Sequence, residues 1–211
     1  MKMTSPFVIT INRQLGSGGA YIGQQLAKKL DIFYADREII DQAAKQLSVL
    51  TEELESQDEK ISSFWKSYLK SFAFGTPDVY LPPKVVIFTD RELFETETEI
   101  IKHIVNERSA VIIGRCGCRI LRDHPNRVSL YFHADMAFRK DRIQKLNNLS
   151  EEAAEKMIVQ SDKERSLYYH TFTGKEWADA RQYDISINTG KIGLDQSVEF
   201  IMKYLDDIKE L

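Results

Sequence analysis

The segment near the amino terminus that passes from a strand-like run through glycines into a helical pattern constrains the fold most. Residues Phe7 to Asn12 read FVITIN, a β-branched apolar run typical of a short strand. The glycine-rich stretch Gly16 to Gly19 follows, and Ile22, Leu26 and Leu30 then recur at helical spacing. A strand, a glycine loop and a helix in this order predict the first unit of a parallel α/β sheet.

Four later apolar runs predict further strands that alternate with helices. They occupy residues 32–35, 109–114, 128–133 and 183–188. Residues suited to helix caps precede the intervening amphipathic segments: Asp36, Thr89, Asp135, Ser150 and Asp195. We therefore predict one α/β domain over residues 1–211, a three-layer α/β/α sandwich around a five-stranded parallel sheet.

The stretch from about residue 47 to residue 83 departs from this alternation. Its charged and aromatic pieces end in the turn signals Gly75-Thr76-Pro77 and Leu81-Pro82-Pro83, and they predict a small helical inserted lobe. The aromatic residues of the lobe have near-helical spacing: Phe64, Trp65, Tyr68, Phe72 and Phe74. That spacing favours a core-facing amphipathic helix, while stacking of a base and a dimer contact are the alternatives.

Length and charge exclude several classes of function. The 211 residues suffice for one hydrophobic core, and 29 Lys+Arg against 32 Asp+Glu leave a formal net charge of -3. That balance does not call for a nucleic-acid or membrane surface, and a nucleic-acid role would need a local basic patch. No segment resembles a secretory signal or a membrane span. We expect a cytoplasmic protein, monomeric or homodimeric, with Cys116 and Cys118 as reduced packing residues.

The glycine loop is the first candidate for ligand binding. Loops at the carboxyl ends of parallel strands hold ligands, and amides at a glycine turn and a helix start converge on an anion. The predicted phosphate-binding residues are Gly16, Ser17, Gly18, Gly19 and Ala20. A tight strand-to-helix turn without a ligand is the alternative. A dinucleotide fingerprint is disfavoured because Tyr21 stands where its third glycine belongs.

Motifs spread over nearly the whole chain carry a family resemblance. In chain order they read ITINRQLGSGGAYIGQQLAKKLDIFYAD, VIIGRCG, YFHADMAFRKDRI, SDKERSLYY and YDISINTGKIGLDQSVEFI. Together they resemble the cytidylate kinase-like family, a branch of the P-loop nucleoside monophosphate kinases. The resemblance implies a P-loop kinase fold, ATP and Mg2+ as cofactors, small nucleotide substrates, and a lid over residues of about 139–181.

The loop differs from an orthodox P-loop at the residues that carry its charge. An orthodox loop ends in Gly-Lys-Ser/Thr, whose lysine reaches the β and γ phosphates and whose hydroxyl binds magnesium. Here Gly18 and Gly19 are followed by Ala20, and Arg13 replaces the first glycine of the pattern. Arg13 is our candidate for the missing cation because a guanidinium can clamp phosphate oxygens, and a surface ion pair is the alternative.

Further charged residues are assigned to the acceptor and to the lid by resemblance. Arg115 follows the strand ending at Gly114 and is expected to contact the acceptor monophosphate, together with Asp36 and Arg37. A structural ion pair for Arg115 and a helix cap for Asp36 are the alternatives. The lid residues expected to act on the phosphates are Arg139, Arg142, Asp162 and Arg165.

Two classes of function fit these features. The leading one is ATP-dependent phosphoryl transfer to a small acceptor, with cytidylate suggested by the family and catalytic roles for Arg13, Arg139, Arg142 and Arg165. The missing lysine and hydroxyl favour the other, a nucleotide-binding or regulatory protein that kept the fold without the chemistry. A kinase for a different small metabolite is a third alternative, because the inserted lobe gives no readable specificity.

Overall fold

The computed structural model describes residues 6–36, Ile40 and residues 90–209. The predicted lobe at 47–83, Arg37 and Thr89 lie outside the described residues. The strands are β1 (Val8–Arg13), β2 (Phe33–Ala35), β3 (Ala110–Ile113), β4 (Arg127–His133) and β5 (Ile185–Asn188). The helices are α1 (Gly19–Leu30), α2 (Asp90–Glu107), α3 (Gly117–Ile120), α4 (Met136–Asn147), α5 (Glu151–Thr173), α6 (Thr189–Ile192) and α7 (Leu194–Lys209).

The five strands form one parallel sheet in the order β2-β3-β1-β4-β5. Strand β1 lies at the centre, where Ile11 pairs with Ile113 of β3 and Asn12 pairs with Tyr131 of β4. Branched apolar side chains form such strands because they pack well on a pleated surface that is covered on both faces. The predicted five-stranded parallel α/β fold is confirmed, and the carboxyl ends of β1, β3 and β4 meet at one edge of the sheet.

Helices cover both faces of the sheet and complete three layers. On one face, α1 and α7 pack against β1 and β4 through the fully buried side chains of Ile22, Leu26 and Ile201. On the other face, α2 places Ile101 and Ile104 against β3. Burial of apolar surface on both sides therefore holds the central strand, and with it the start of the glycine loop.

Two helices begin where their predicted caps stand, but only one cap acts through its side chain. The Ser150 hydroxyl accepts a hydrogen bond from the Ala153 amide at 3.3 Å, so α5 is capped as predicted. Helix α4 begins after Asp135, whose carbonyl accepts from the Arg139 amide at 3.1 Å. The Asp135 carboxylate is exposed and makes no capping hydrogen bond, so the prediction of a side-chain cap there is wrong.

Candidate active site

The loop between β1 and α1 has the backbone geometry of an anion-binding turn. Gly16 and Gly18 adopt left-handed φ angles of 81° and 78°, and Gly18 is the N-cap residue of α1. A β-carbon at Gly16 would also lie 2.9 Å from the Arg139 carbonyl oxygen, so glycine is required there on two counts. The amides of the loop and of the first turn of α1 lie where the helix dipole favours negative charge.

Ser17 forms hydrogen bonds within the loop. Its hydroxyl donates to the Gln14 carbonyl at 2.8 Å, and its amide donates to the same carbonyl at 3.3 Å. The Ser17 carbonyl accepts from the Thr189 hydroxyl of α6 at 2.7 Å. The Ser17 side chain is fully buried, and it holds the turn in shape.

Helices α4 and α5 hold the loop around Leu15. The Leu15 amide donates to Asp162 Oδ1 at 2.8 Å, and Arg139 donates to the Leu15 carbonyl at 3.4 Å. The Leu15 side chain packs against Ile143 of α4 and Ile158 of α5. Arg139 also forms a 2.5 Å ion pair with Asp162 Oδ2, in which the two side chains are 7% and 18% exposed. Helices α4 and α5 therefore contact both the backbone and the side chain of Leu15.

The three predicted lid arginines do not all contact the same part of the molecule. Arg165 donates to the Arg13 carbonyl at 3.0 Å, so Arg165 and Arg139 both contact the loop backbone. Arg142 is half-buried and lies near Tyr21, whose hydroxyl donates to Asp195 at 2.7 Å. Arg139 and Arg142 therefore meet different groups although they are three residues apart on α4.

The Arg13 side chain extends across the sheet edge between two glycines. A β-carbon at Gly19 would lie 2.6 Å from Arg13 Cβ and 2.8 Å from Arg13 Cγ. At the other end, a β-carbon at Gly114 would lie 2.7 Å from Arg13 Nη1. The stem of Arg13 therefore occupies the space beside residue 19, where an orthodox loop has its lysine. The guanidinium reaches the carboxyl end of β3.

The turn after β3 holds three consecutive residues in the left-handed region. The φ angles are 74° for Gly114, 48° for Arg115 and 55° for Cys116. For a residue with a β-carbon this conformation costs roughly 1–2 kcal/mol, and strain of this kind clusters at functional sites. The turn brings the backbone of Arg115 next to the tip of Arg13, because both adjoin Gly114.

Arg115 forms a buried ion pair at this turn. Its Nη2 lies 3.2 Å from Glu97 Oε1, and the two side chains are 9% and 1% exposed. The Arg115 guanidinium lies 5.0 Å from the ring centre of Tyr168, whose hydroxyl donates to Glu97 Oε2 at 2.8 Å. The ion pair expected as the alternative role of Arg115 is therefore present. Removing Arg115 would leave the Glu97 carboxylate buried and uncompensated.

Polar aromatic side chains fill the sheet face beneath α5. Asn12 Nδ2 donates to the Tyr183 hydroxyl at 2.8 Å, and Cys118 Sγ lies 3.4 Å from the Tyr169 hydroxyl. Both cysteines are buried and reduced, as predicted. Burial is the main reason why the pKa of the Cys116 thiol and the pKa of the Cys118 thiol are raised. Neither thiol is poised as a nucleophile.

Two acidic residues, Asp36 after β2 and Glu97 on α2, lie on the β2 and β3 side of the sheet. Asp36 directly follows β2, and its carbonyl accepts from the Ile40 amide at 3.1 Å. The sequence reasoning missed Glu97. A signal was available, because Glu97 stands three and four residues before Ile100 and Ile101 on the apolar stripe of α2. A carboxylate at such a position indicates a buried partner.

Two kinds of feature are missing from the described part of the chain. Within residues 6–36, 40 and 90–209, no group of three His, Cys, Asp or Glu side chains is arranged to hold a metal ion. None of the helices in these ranges is long and apolar enough to cross a membrane.

The strand order, the glycine loop that opens α1 and the arginines around that loop define a P-loop kinase-like α/β protein. Shikimate kinase from Acinetobacter baumannii in complex with shikimate has a TM-score of 0.50 to this chain at 14% identity, with 98% of this chain and 96% of that chain covered. This likeness shows the fold. An uncharacterized protein from Eubacterium ventriosum ATCC 27560 has a TM-score of 0.71 at 26% identity, covering 95% of this chain and 98% of that chain.

A sequence model of the cytidylate kinase-like family matches residues 8–191, and the chain belongs to that family, as predicted. A cytidylate kinase from Sulfurisphaera tokodaii is 22% identical over 204 residues, which cover 94% of this chain and 95% of that protein. A cytidylate kinase from Saccharolobus islandicus is 22% identical over 114 residues, or 54% of this chain. The match spans only 60% of the length of that relative.

Proposed function

We propose that the protein transfers the γ-phosphoryl group of ATP to a small acceptor, with a nucleoside monophosphate such as cytidylate as the first candidate. The loop is the observation that carries the proposal. Its left-handed Gly16 and Gly18 open α1 at the carboxyl end of the central strand, and arginine side chains contact its backbone. Membership of the cytidylate kinase-like family supports the same reaction class.

The donor nucleotide is held by the loop and by guanidinium groups. The amides of Gly16, Gly18, Gly19 and Ala20 bind the phosphate oxygens, because the glycines let the backbone approach them closely, and Ser17 holds the turn that presents them. Arg13 supplies the charge that lysine supplies in an orthodox loop. Arg139, Arg142 and Arg165 stabilise charge on the transferring group, and for Arg139 this requires exchange of Asp162 for phosphate. The lid at about 139–181 is the element that makes this exchange.

The acceptor lies on the β3 side of the loop in this proposal. Arg115 contacts the acceptor together with Asp36 and Arg37, and the lobe at about 47–83 contributes specificity. An oxygen of the acceptor phosphate attacks the γ-phosphorus, the bond to the β–γ bridging oxygen breaks, and ADP leaves with that electron pair. A phosphate acceptor is already anionic, so the attack needs no general base.

Magnesium is implied by the family, but the described side chains at the loop fit it poorly. The ion prefers carboxylate and hydroxyl oxygens together with phosphate oxygens. The Ser17 hydroxyl donates to Gln14, and the two Asp162 oxygens accept from Leu15 and Arg139. We therefore assign no step of the transfer to magnesium.

The absence of a side chain at Gly19 favours a second candidate, a nucleotide-binding or regulatory protein without turnover. The Arg13 stem lies beside residue 19 on the strand side, and its guanidinium lies beside Gly114 at the carboxyl end of β3. Phosphoryl transfer depends strongly on where positive charge is placed, so a displaced cation is compatible with binding alone.

A coupled ATPase assay with a panel of nucleoside monophosphates, paired with calorimetry of ATP binding, separates the two candidates. We expect turnover with one monophosphate, and a loss of about 100-fold in kcat/KM for Arg13→Ala. Arg91→Ala is the matched control, because the Arg91 side chain is 89% exposed on α2. Binding of ATP without turnover on every acceptor would eliminate the kinase in favour of the regulatory protein. Absence of ATP binding by the unmodified protein would overturn both.

A further inference from the structure

Tyr131 is one of the described residues with a buried polar atom that lacks a hydrogen-bond partner. It lies on β4 directly opposite Asn12, one residue before the end of β1, and it is 4% exposed. Its hydroxyl is buried and makes no hydrogen bond within the described part of the chain. Buried hydroxyls are nearly always paired because an unpaired one loses its hydration without compensation. The Tyr131 hydroxyl therefore indicates a partner that is not part of the fold.

The ring of Tyr131 is fixed in place by its neighbours. It stacks on Tyr183 at 5.0 Å between ring centres and meets Trp177 edge-on at 5.6 Å. The ring of His133 lies 6.1 Å away on the same strand. Packing on several sides keeps the ring from turning toward another protein group, so the direction of its hydroxyl is set before any ligand arrives.

The charged groups that act on the Tyr131 hydroxyl are Asp162, Arg139 and Arg165. These are the same side chains that contact the loop at Leu15 and at the carbonyl of Arg13. Both oxygens of Asp162 already accept hydrogen bonds, whereas two guanidinium groups favour an anion. Burial, followed by the Asp162 charge, raises the pKa of Tyr131 to about 12, so the hydroxyl is a protonated donor at neutral pH.

We infer that the Tyr131 hydroxyl is a ligand-binding group that donates a hydrogen bond to a phosphate oxygen of the polyphosphate held by the glycine loop. The inference rests on the proposed function, because it requires a polyphosphate in that loop. It gives the anion a neutral donor from β4 in addition to the guanidiniums of α4 and α5. It also accounts for a tyrosine where phenylalanine would pack against Tyr183 and Trp177 equally well.

The test compares two stacked tyrosines that differ in the state of their hydroxyls. The Tyr183 hydroxyl accepts from Asn12 and donates to the Trp177 carbonyl at 2.7 Å, so Tyr183→Phe removes two internal hydrogen bonds. Tyr131→Phe removes none within the described chain. Binding of ATP, inorganic tripolyphosphate and adenosine is measured by calorimetry for the unmodified protein and both variants. Thermal melting of each is recorded without ligand.

For Tyr131→Phe we expect an unchanged or higher melting temperature and affinities for ATP and tripolyphosphate that are both weaker by about tenfold. For Tyr183→Phe we expect a lower melting temperature with ATP affinity within about twofold of the unmodified protein. A hydrogen bond to phosphate is a contact that adenosine cannot make, so adenosine binding should not distinguish Tyr131→Phe from the unmodified protein.

Three results would overturn the inference while the proposed function stands. Equal ATP affinity of Tyr131→Phe and the unmodified protein would show that the hydroxyl does not contact ATP. A loss of affinity for ATP but not for tripolyphosphate would show that the hydroxyl contacts the base or the sugar. A melting temperature of Tyr131→Phe as low as that of Tyr183→Phe would show that the hydroxyl has a partner inside the fold. If the unmodified protein bound neither ATP nor tripolyphosphate, the proposed function would fail first and the inference with it.

Discussion

Arg13 and Gly19 are residues whose sizes depend on each other. The Arg13 stem lies where a side chain at residue 19 would begin, since a β-carbon at Gly19 would be 2.6 Å from Arg13 Cβ. Real β-carbons do not approach that closely, so any residue other than glycine at 13 requires glycine at 19. The stem of Arg13 therefore occupies the space beside residue 19 from the strand side of the loop.

This dependence predicts the behaviour of a restored lysine. Gly19→Lys alone should lower the free energy of unfolding by about 1–3 kcal/mol, because the new side chain overpacks the Arg13 stem. Arg13→Gly combined with Gly19→Lys should recover most of that loss, since the space beside residue 19 is then open. Urea unfolding of the three variants measures the effect, with Arg13→Gly alone as the control for the cost of glycine at the strand end. Unchanged stability of Gly19→Lys would contradict the dependence.

At the scale of secondary-structure elements, Asp162 connects the loop to two helices. One oxygen accepts from the Leu15 amide, and the other pairs with Arg139 of α4. Lys140 also joins the two helices through Glu151 and Glu155, but those partners are 68% and 50% exposed. Screening by water leaves such surface pairs with little effect on stability, whereas the Asp162 pair is largely shielded.

Asp162→Asn should therefore lower the free energy of unfolding much more than removal of the surface pair does. The amide keeps the shape of the side chain but leaves the buried guanidinium of Arg139 without a counter-charge, so we expect a loss of about 1–3 kcal/mol in the free energy of unfolding. Glu151→Gln on the same pair of helices is the matched control, with an expected change below about 0.5 kcal/mol. Thermal or urea unfolding checks both. Equal effects of the two variants would mean that Asp162 is not a structural connection between α4 and α5.

The elements and the loop were predictable from the sequence, but the partners of the charged residues were not. Period-two and helical patterns act over a few neighbouring residues, and they placed β1 and α1 on either side of Gly16 to Gly19. The Leu15 and Asp162 contact joins residues 147 apart in the chain, and no local pattern encodes it. Arg142 shows the same limit, because its spacing from Arg139 did not predict that it lies near Tyr21.

At the scale of the whole molecule, the loop is tied to every layer of the sandwich. Its first residue extends the central strand, its last opens α1, and α4 and α5 hold its middle through Leu15. Global unfolding must therefore dissolve the loop. A ligand that binds there stabilises the entire fold by mass action, without requiring any change in the packing of the core.

Chemical labelling of the two cysteines can measure how strongly a ligand at the loop stabilises the whole fold. Burial raises the pKa of the Cys116 and Cys118 thiols in the folded chain above the value of about 8.5 for an exposed thiol, so at pH 8 the reactive thiolate forms mainly after unfolding. Labelling by a disulfide reagent should be slow in the folded protein and fast in urea. ATP at about 100 times its dissociation constant should slow labelling of the folded protein roughly 100-fold. Arg13→Ala should abolish this protection at the same ATP concentration. Labelling that ATP does not slow, in a protein shown by calorimetry to bind ATP, would place the cysteines in a segment that opens separately from the loop.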